Sequence, residues 1–203
     1  MSRNLLKYVT KLAVPGEAPS VLQAIDDYAE TMGGLIHLGQ EKGVLFDEVL
    51  QHSAAKRVLE LGTNFGYSAI RMAHNLDPSA KIVTLEIDPD TAAIARRIIA
   101  FADLDQNIQV ICGKARQIIE QELREPFDLI FIDHYAENYL GDLLLLEKQG
   151  LIRTGTIVVS DNAVMFASQL GPYLHHLRDS GLYESTLHQP PRHSDGFEVS
   201  RRL

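Results

Sequence analysis

The chain has 203 residues, 45% of them hydrophobic and 23% charged, with a net charge of −8 and a pI near 5.4. That length and composition favour one globular domain able to bury a core without metal or disulfide staples. The acidic balance excludes a general nucleic-acid binder, which needs a basic face. The single Cys112 excludes an intrachain disulfide and reads as a buried, inert thiol in "IQVIC". The opening "MSRNLLKYVTKLAVPG" lacks a signal-peptide core, and no apolar run reaches the roughly 20 residues that span a bilayer. A soluble cytoplasmic protein is expected, monomer or homodimer, with no membrane or nucleic-acid partner.

The first quarter reads as helical. Helices are predicted over 4–12, over 18–32 with Val21, Leu22, Ile25, Tyr28 and Ala29 on one face, and over roughly 40–53 with Val44, Leu45, Val49 and Leu50 together. Gly33 and Gly34 stop the second. From Lys56 the rhythm becomes alternation. The strands are "RVLEL", "KIVTLEI", "IQVIC", "FDLIFID" and "GTIVVSD". The helices between and after them are "GYSAIRMAHNL", "DPDTAAIARRIIAFADL", "ARQIIEQEL", "NYLGDLLLLEKQG" and "ASQLGPYLHHLRDS". Asp88 caps the second of these and Pro89 opens it. "YESTLHQ" and "GFEVSRRL" close the chain as antiparallel strands. Near-continuous apolar strands alternating with helices predict a doubly wound α/β fold, with a helical cap over 1–54 and a core over 55–203.

In such sheets ligands bind beyond the carboxyl ends of the strands. The first tip carries Gly62 and Gly66 in a G-x-x-x-G turn, a place for close ligand approach and for an anionic group at the next helix start. The second ends in Glu86-Ile87-Asp88, and Glu86 stands at the distance from the glycines where a carboxylate accepts ribose hydroxyls. Glu60, a carboxylate inside an apolar strand, needs a partner, and a cationic ligand would supply one. Nucleoside, cation and carboxylate together describe S-adenosylmethionine better than a nicotinamide dinucleotide. The third tip gives Gly113-Lys114-Ala115-Arg116. The fourth and fifth give Asp133, Asp161 and Asn162, hard oxygen donors suited to Mg²⁺ or Ca²⁺ and not to zinc. Each also has a plain reading as a cap or turn. His52, His74, His175 and His176 read as helix-surface residues; His37 faces solvent or the cleft. No H-E-x-x-H or G-x-S-x-G motif occurs.

The segments "SVLQAIDDY", "HLGQEKG", "VLELGTNFGYSAIRMA", "TLEIDPDTAAIARRIIAFADL" and "DHYAENYLGDLLLLEKQGLIRTGTIVVSDN" resemble the catechol O-methyltransferase family in order and spacing, over about residues 5–181. The resemblance implies a Rossmann-like methyltransferase fold, a seven-stranded sheet with an antiparallel final strand. It implies that Leu38, Glu60, Gly62, Tyr67 and Ser68 serve the methionine part of the cofactor and Glu86 the ribose. Ala115 and Arg116 stand where the family contacts adenine, usually through Ser and Gln. His134 and Tyr135 would lie against the cofactor. Asp133, Asp161 and Asn162 match the Mg²⁺ ligands, and Asn162 also adjoins the substrate.

The departures fall on the substrate side. The family's general-base Lys aligns with Ala136, its gatekeeper Trp with Gly34 and its gatekeeper Pro with Phe166. "HQPPRHSDG" offers no clear equivalent of the family's catechol-gripping Glu. The implied activity is Mg²⁺-dependent O-methyl transfer to a catechol-like or polyhydroxylated small molecule. The alternatives are a larger phenolic or amine acceptor, or a non-catalytic cofactor-binding regulator. With Lys absent the base is left open among His134, His37, a C-terminal-loop His and solvent.

Overall fold

The computed structural model describes residues 2–33, 35, 37–191 and 193–203. Three helices come first: α1 (Ser2–Leu12), α2 (Ala18–Met32) and α3 (Gly39–Ser53). Strands and helices then alternate as β1 (Arg57–Leu61), α4 (Tyr67–Asn75), β2 (Lys81–Glu86), α5 (Pro89–Phe101), β3 (Ile108–Cys112), α6 (Ala115–Gln121), β4 (Leu129–Ile132), α7 (Tyr139–Lys148), β5 (Ile157–Ser160) and α8 (Gly171–Asp179). A 3-10 turn, Ala136–Asn138, precedes α7, and β6 (Tyr183–His188) and β7 (Phe197–Arg202) complete the chain.

The strands form one seven-stranded sheet in the order β3-β2-β1-β4-β5-β7-β6. β1 to β5 run parallel; β7 is antiparallel to both β5 and β6. This is the Rossmann-like methyltransferase fold that the alternation and the resemblance predicted. The two-residue period of each strand sends side chains to opposite faces. Val58, Phe131 and Val159 pack with apolar residues of α1 to α5, whereas Leu59, Leu61, Ile130, Ile132 and Val158 pack with α6 to α8. The order reverses between β1 and β4, so their tips open the crevice in which such sheets bind ligands.

Asp88 caps α5 as expected, its Oδ1 accepting from the Thr91 amide at 2.7 Å. Three expectations need correction. α8 starts at Gly171, four residues later than the sequence pattern placed it, because Pro172 fits only a first turn; residues 161–170 form turns instead. The buried stripe of α3 is Lys42, Gly43, Phe46 and Leu50, and Val44 is 52% exposed. Of the four apolar residues chosen from the sequence, Leu50 is buried and Leu45 and Val49 pack partly against the core, so only Val44 faces away. Cys112 is exposed, because β3 is an edge strand and its tip has no neighbour on one side.

Candidate active site

The β1–α4 turn is built by two glycines. Gly62 has φ +105°, and a Cβ there would collide with the backbone carbonyl of Asp133. The expectation was that Gly62 admits a ligand; the structure shows the β4 tip already filling the space beside it. Its amide donates to the Leu85 carbonyl at 3.0 Å, and the Asp133 amide donates to the Leu61 carbonyl at 2.9 Å. The three strand tips are thereby laced together. Gly66, at φ +87°, starts α4 with Ile99 packed where a side chain would go. Leu38, Gly62, Thr63, Ser68, His37 and Asp133 line the cavity at this turn, and Tyr67 also borders it.

Glu86 closes the next side. Its Oε2 accepts from the Asn64 amide at 2.8 Å and its Oε1 from the Asp88 amide at 2.9 Å. Each oxygen keeps a lone pair for a further donor. Ile87 beside it is 49% exposed, and the Gly113 amide donates to the Glu86 carbonyl at 2.8 Å. Ala115 and Arg116 open α6; Arg116 is exposed, with Nε 3.7 Å from Glu120.

Glu60 departs from expectation. It is fully buried, and its carboxylate accepts from the hydroxyls of Ser68 and Thr84. These hydroxyls supply partners that the sequence reading did not name, and the carboxylate presents no surface to the cavity. Burial pushes its pKa up to about 7; the two hydroxyls act against that rise and Glu86 adds to it. Tyr67 sits in a polar chain: its hydroxyl donates to Asp26 Oδ2 at 3.1 Å and accepts from Arg71 at 3.0 Å. The other Asp26 oxygen is 2.7 Å from His37 Nε2. His37 is therefore a half-buried wall residue, oriented by a carboxylate.

At the β4 tip, Asp133 and His134 differ sharply. His134 Nε2 is 2.8 Å from Asp142 Oδ2, its ring stacks on Tyr139 at 5.2 Å, and its buried Nδ1 has no protein partner. The Asp133 carboxylate has no hydrogen bond or ion pair among the described residues. Its pKa stands well above the carboxylate range, raised by burial and by the charge of Asp161, with Lys42 acting the other way. Tyr135 is 63% exposed, and Ala136 is half-buried at the start of the 3-10 turn.

Asp161 and Asn162 follow β5, the Asp161 amide donating to the Ile132 carbonyl at 3.0 Å. Asn162 takes φ +60°, a left-handed conformation that Asn tolerates better than most residues. Asp161 is held by Lys42, whose Nζ lies 2.7 and 2.9 Å from its two oxygens and 2.8 Å from Asp195 Oδ2. Burial raises the pKa of Asp161 while Lys42 opposes that rise; the Lys42 pKa is raised by its two carboxylates despite burial. Phe166, 36% exposed, donates its amide to the Asn162 carbonyl at 2.9 Å. Gly34 lies outside the described residues.

Sequence reading missed Lys42, Asp195, Asp142 and Asp26. A lysine in an amphipathic helix and an Asp before Gly look like solvated residues. The one available signal was Lys42 on the apolar stripe with Phe46 and Leu50.

Comparison with known proteins decides the class. A family profile described as O-methyltransferase matches residues 19–174. The chain belongs to the O-methyltransferase family. Its relatives include catechol O-methyltransferase B of Danio rerio, 37% identical over 98% of this chain and 77% of that protein. The catechol O-methyltransferase of Mus musculus is 37% identical over 91% of this chain and 70% of that protein. Among solved structures, an O-methyltransferase from Bacillus cereus in complex with SAH superposes with a TM-score of 0.78 at 25% identity, covering all of both chains. A putative O-methyltransferase from Klebsiella pneumoniae matches equally well, at 0.78 and 25% over 89% of each chain. This O-methyltransferase is thus an S-adenosylmethionine-dependent enzyme of the catechol O-methyltransferase-like group. Among its described residues no helix is long and apolar enough to cross a membrane.

Proposed function

We propose that the enzyme methylates a hydroxyl of a catechol-like or polyhydroxylated aromatic molecule in a Mg²⁺-dependent reaction. One observation carries the cation: Asp133, a closely surrounded carboxylate without a hydrogen bond or ion pair among the described residues, feels the charge of Asp161, which Asn162 follows in the chain. Among the described residues no cluster of three His, Cys, Asp or Glu forms a metal site. The donor set here is two carboxylates and an amide, which fits a hard cation that keeps several waters, Mg²⁺ before Ca²⁺. When bound, S-adenosylmethionine supplies the methyl group and the cation supplies the charge that makes an acceptor hydroxyl acidic.

The chain's own residues do the rest. Glu86 offers two free lone pairs to the ribose hydroxyls. Leu38, Gly62, Tyr67 and Ser68 enclose the methionine part, with Glu60 acting only through Ser68. His134, locked by Asp142 and Tyr139, forms a fixed wall for the adenosine, and Ile87, Gly113, Ala115 and Arg116 continue it. Holding donor and acceptor in line within this cleft supplies much of the rate. Ala136 offers no base, so the acceptor's proton leaves to water or to the unpartnered Nδ1 of His134, whose Nε2 is held by Asp142. Exposed Tyr135, Met165 and Phe166 form an apolar rim beside Asp133 and Asn162, which suits an aromatic ring. The small side chain of Ala136 favours a bulkier phenolic than simple catechol.

The test is methyl transfer to a panel of vicinal diols, single phenols and amines, with EDTA and then added Mg²⁺. Activity on diols, abolished by EDTA and restored by Mg²⁺, is expected. Transfer untouched by EDTA removes the cation; transfer confined to amines removes the hydroxyl acceptor.

A further inference from the structure

We infer that Lys42 and Asp195 are a positioning pair that sets the donor oxygens of Asp161 and Asn162, joining the helical cap and the β6–β7 loop to the cation site. The inference rests on the cation reading above. Lys42 spends all three ammonium donors on carboxylate oxygens, two of Asp161 and one of Asp195. Asp195 Oδ2 also accepts from Asn162 Nδ2 at 2.8 Å, and its Oδ1 accepts from the Met165 amide at 2.9 Å. Only the nitrogen end of an amide donates to a carboxylate. Asp195 therefore fixes which way Asn162 points and leaves its oxygen, at the opposite end, without a hydrogen bond to the described residues.

Lys42, Asp161 and Asp195 are 4%, 2% and 1% exposed. Charges this deep persist only when paired and hydrogen-bonded. Ionised Asp133, Asp161 and Asp195 against one Lys42 leave two negative charges, which one divalent cation balances. A surface-type ion pair would leave the carboxylates free to turn; here three segments distant in sequence over-determine them. The cap is thus part of the site's alignment as well as a cover.

The experiment measures Mn²⁺ binding by electron paramagnetic resonance and S-adenosylhomocysteine binding by calorimetry without metal, on the full chain. Wild type is compared with Asp195→Ala, Lys42→Met, Lys42→Arg and the charge-conserving double variant Lys42→Met/Asp195→Asn. Each loss of a positioning partner is expected to weaken Mn²⁺ by about tenfold or more, as outer partners of metal ligands do. S-adenosylhomocysteine affinity should stay within about twofold, because Glu86 and the glycine turn are untouched, and Lys42→Arg should recover part of the Mn²⁺ loss. If a single variant does not fold, the double variant decides, since it keeps the net charge. Wild type that binds no Mn²⁺ overturns the cation reading itself. Wild type that binds, with variants that bind equally well, overturns the positioning pair alone. Tighter Mn²⁺ binding by Lys42→Met also overturns it, marking the ammonium as a mere competitor.

Discussion

The two sides of the cleft are built differently. The side formed by the β1 and β2 tips is built largely by backbone: a glycine turn and a strand-ending Glu86, oriented by the amides of Asn64 and Asp88, 22 and 2 residues away. The side formed by the β4 and β5 tips is held by residues 8 to 153 positions away, with Asp142 on His134, Asp195 on Asn162 and Lys42 on Asp161 and Asp195. The proposed ribose contact thus rests on backbone donors of two adjacent strand tips, whereas the Asp161 and Asn162 side chains depend on α3 and the β6–β7 loop arriving together.

The most severe break in this contrast is Asp133→Ala. Methyl transfer should fall by more than about 100-fold, beyond the range for residues that only support a ligand, while S-adenosylhomocysteine affinity measured without metal changes little. A variant that keeps its rate would remove Asp133 from the acceptor side.

Glu60 probes the buried layer beneath the cofactor side. Its pKa is raised from 4.5 to about 7. A raised folded-state pKa gives stability that is fully present below the unfolded value and is lost as pH rises through the folded one. Free enzyme should therefore lose about 3 kcal/mol between pH 4.5 and 8 from this group, relative to Glu60→Gln. Urea unfolding at pH 5 and pH 8 measures it, and an identical pH dependence in both proteins would count against the buried, protonated carboxylate.

Glu86→Ala should weaken S-adenosylhomocysteine by about tenfold or more, the cost of losing charge-assisted hydrogen bonds, with Mn²⁺ affinity unchanged. Isothermal titration of both ligands checks that the two sides separate. The smallest effect is Ala136→Lys. A new amine at the 3-10 turn should raise catechol methylation by about fivefold, below the roughly 100-fold of a well-placed base. Initial rates across pH 6–9 measure it, and a fall in rate would mean that the space near Ala136 is needed by the acceptor.

The sequence made the fold and half of the cleft legible for the same reason. Strand tips follow from apolar runs, and Gly62, Glu86, Asp133, Asp161 and Asn162 all sit within two residues of a tip. The sheet order, the edge position of β3 and the late start of α8 depend on tertiary packing and on one proline. Lys42 was missed because its one signal was its place on the apolar stripe with Phe46 and Leu50, and its two carboxylates are 119 and 153 residues away. Glu60 was visible as an anomaly, but its partners Ser68 and Thr84 were not, since they come from α4 and from the neighbouring strand β2.

The exposed thiol at the end of the edge strand offers something practical. Cys112 is the only cysteine of the chain, it needs no competing residue replaced, and it stands one residue before Gly113, which is tied to Glu86. A maleimide fluorophore attached there becomes a reporter at the β3 tip, beside the Glu86 proposed to take the ribose. It allows cofactor arrival to be timed by stopped flow apart from acceptor arrival at the far tips.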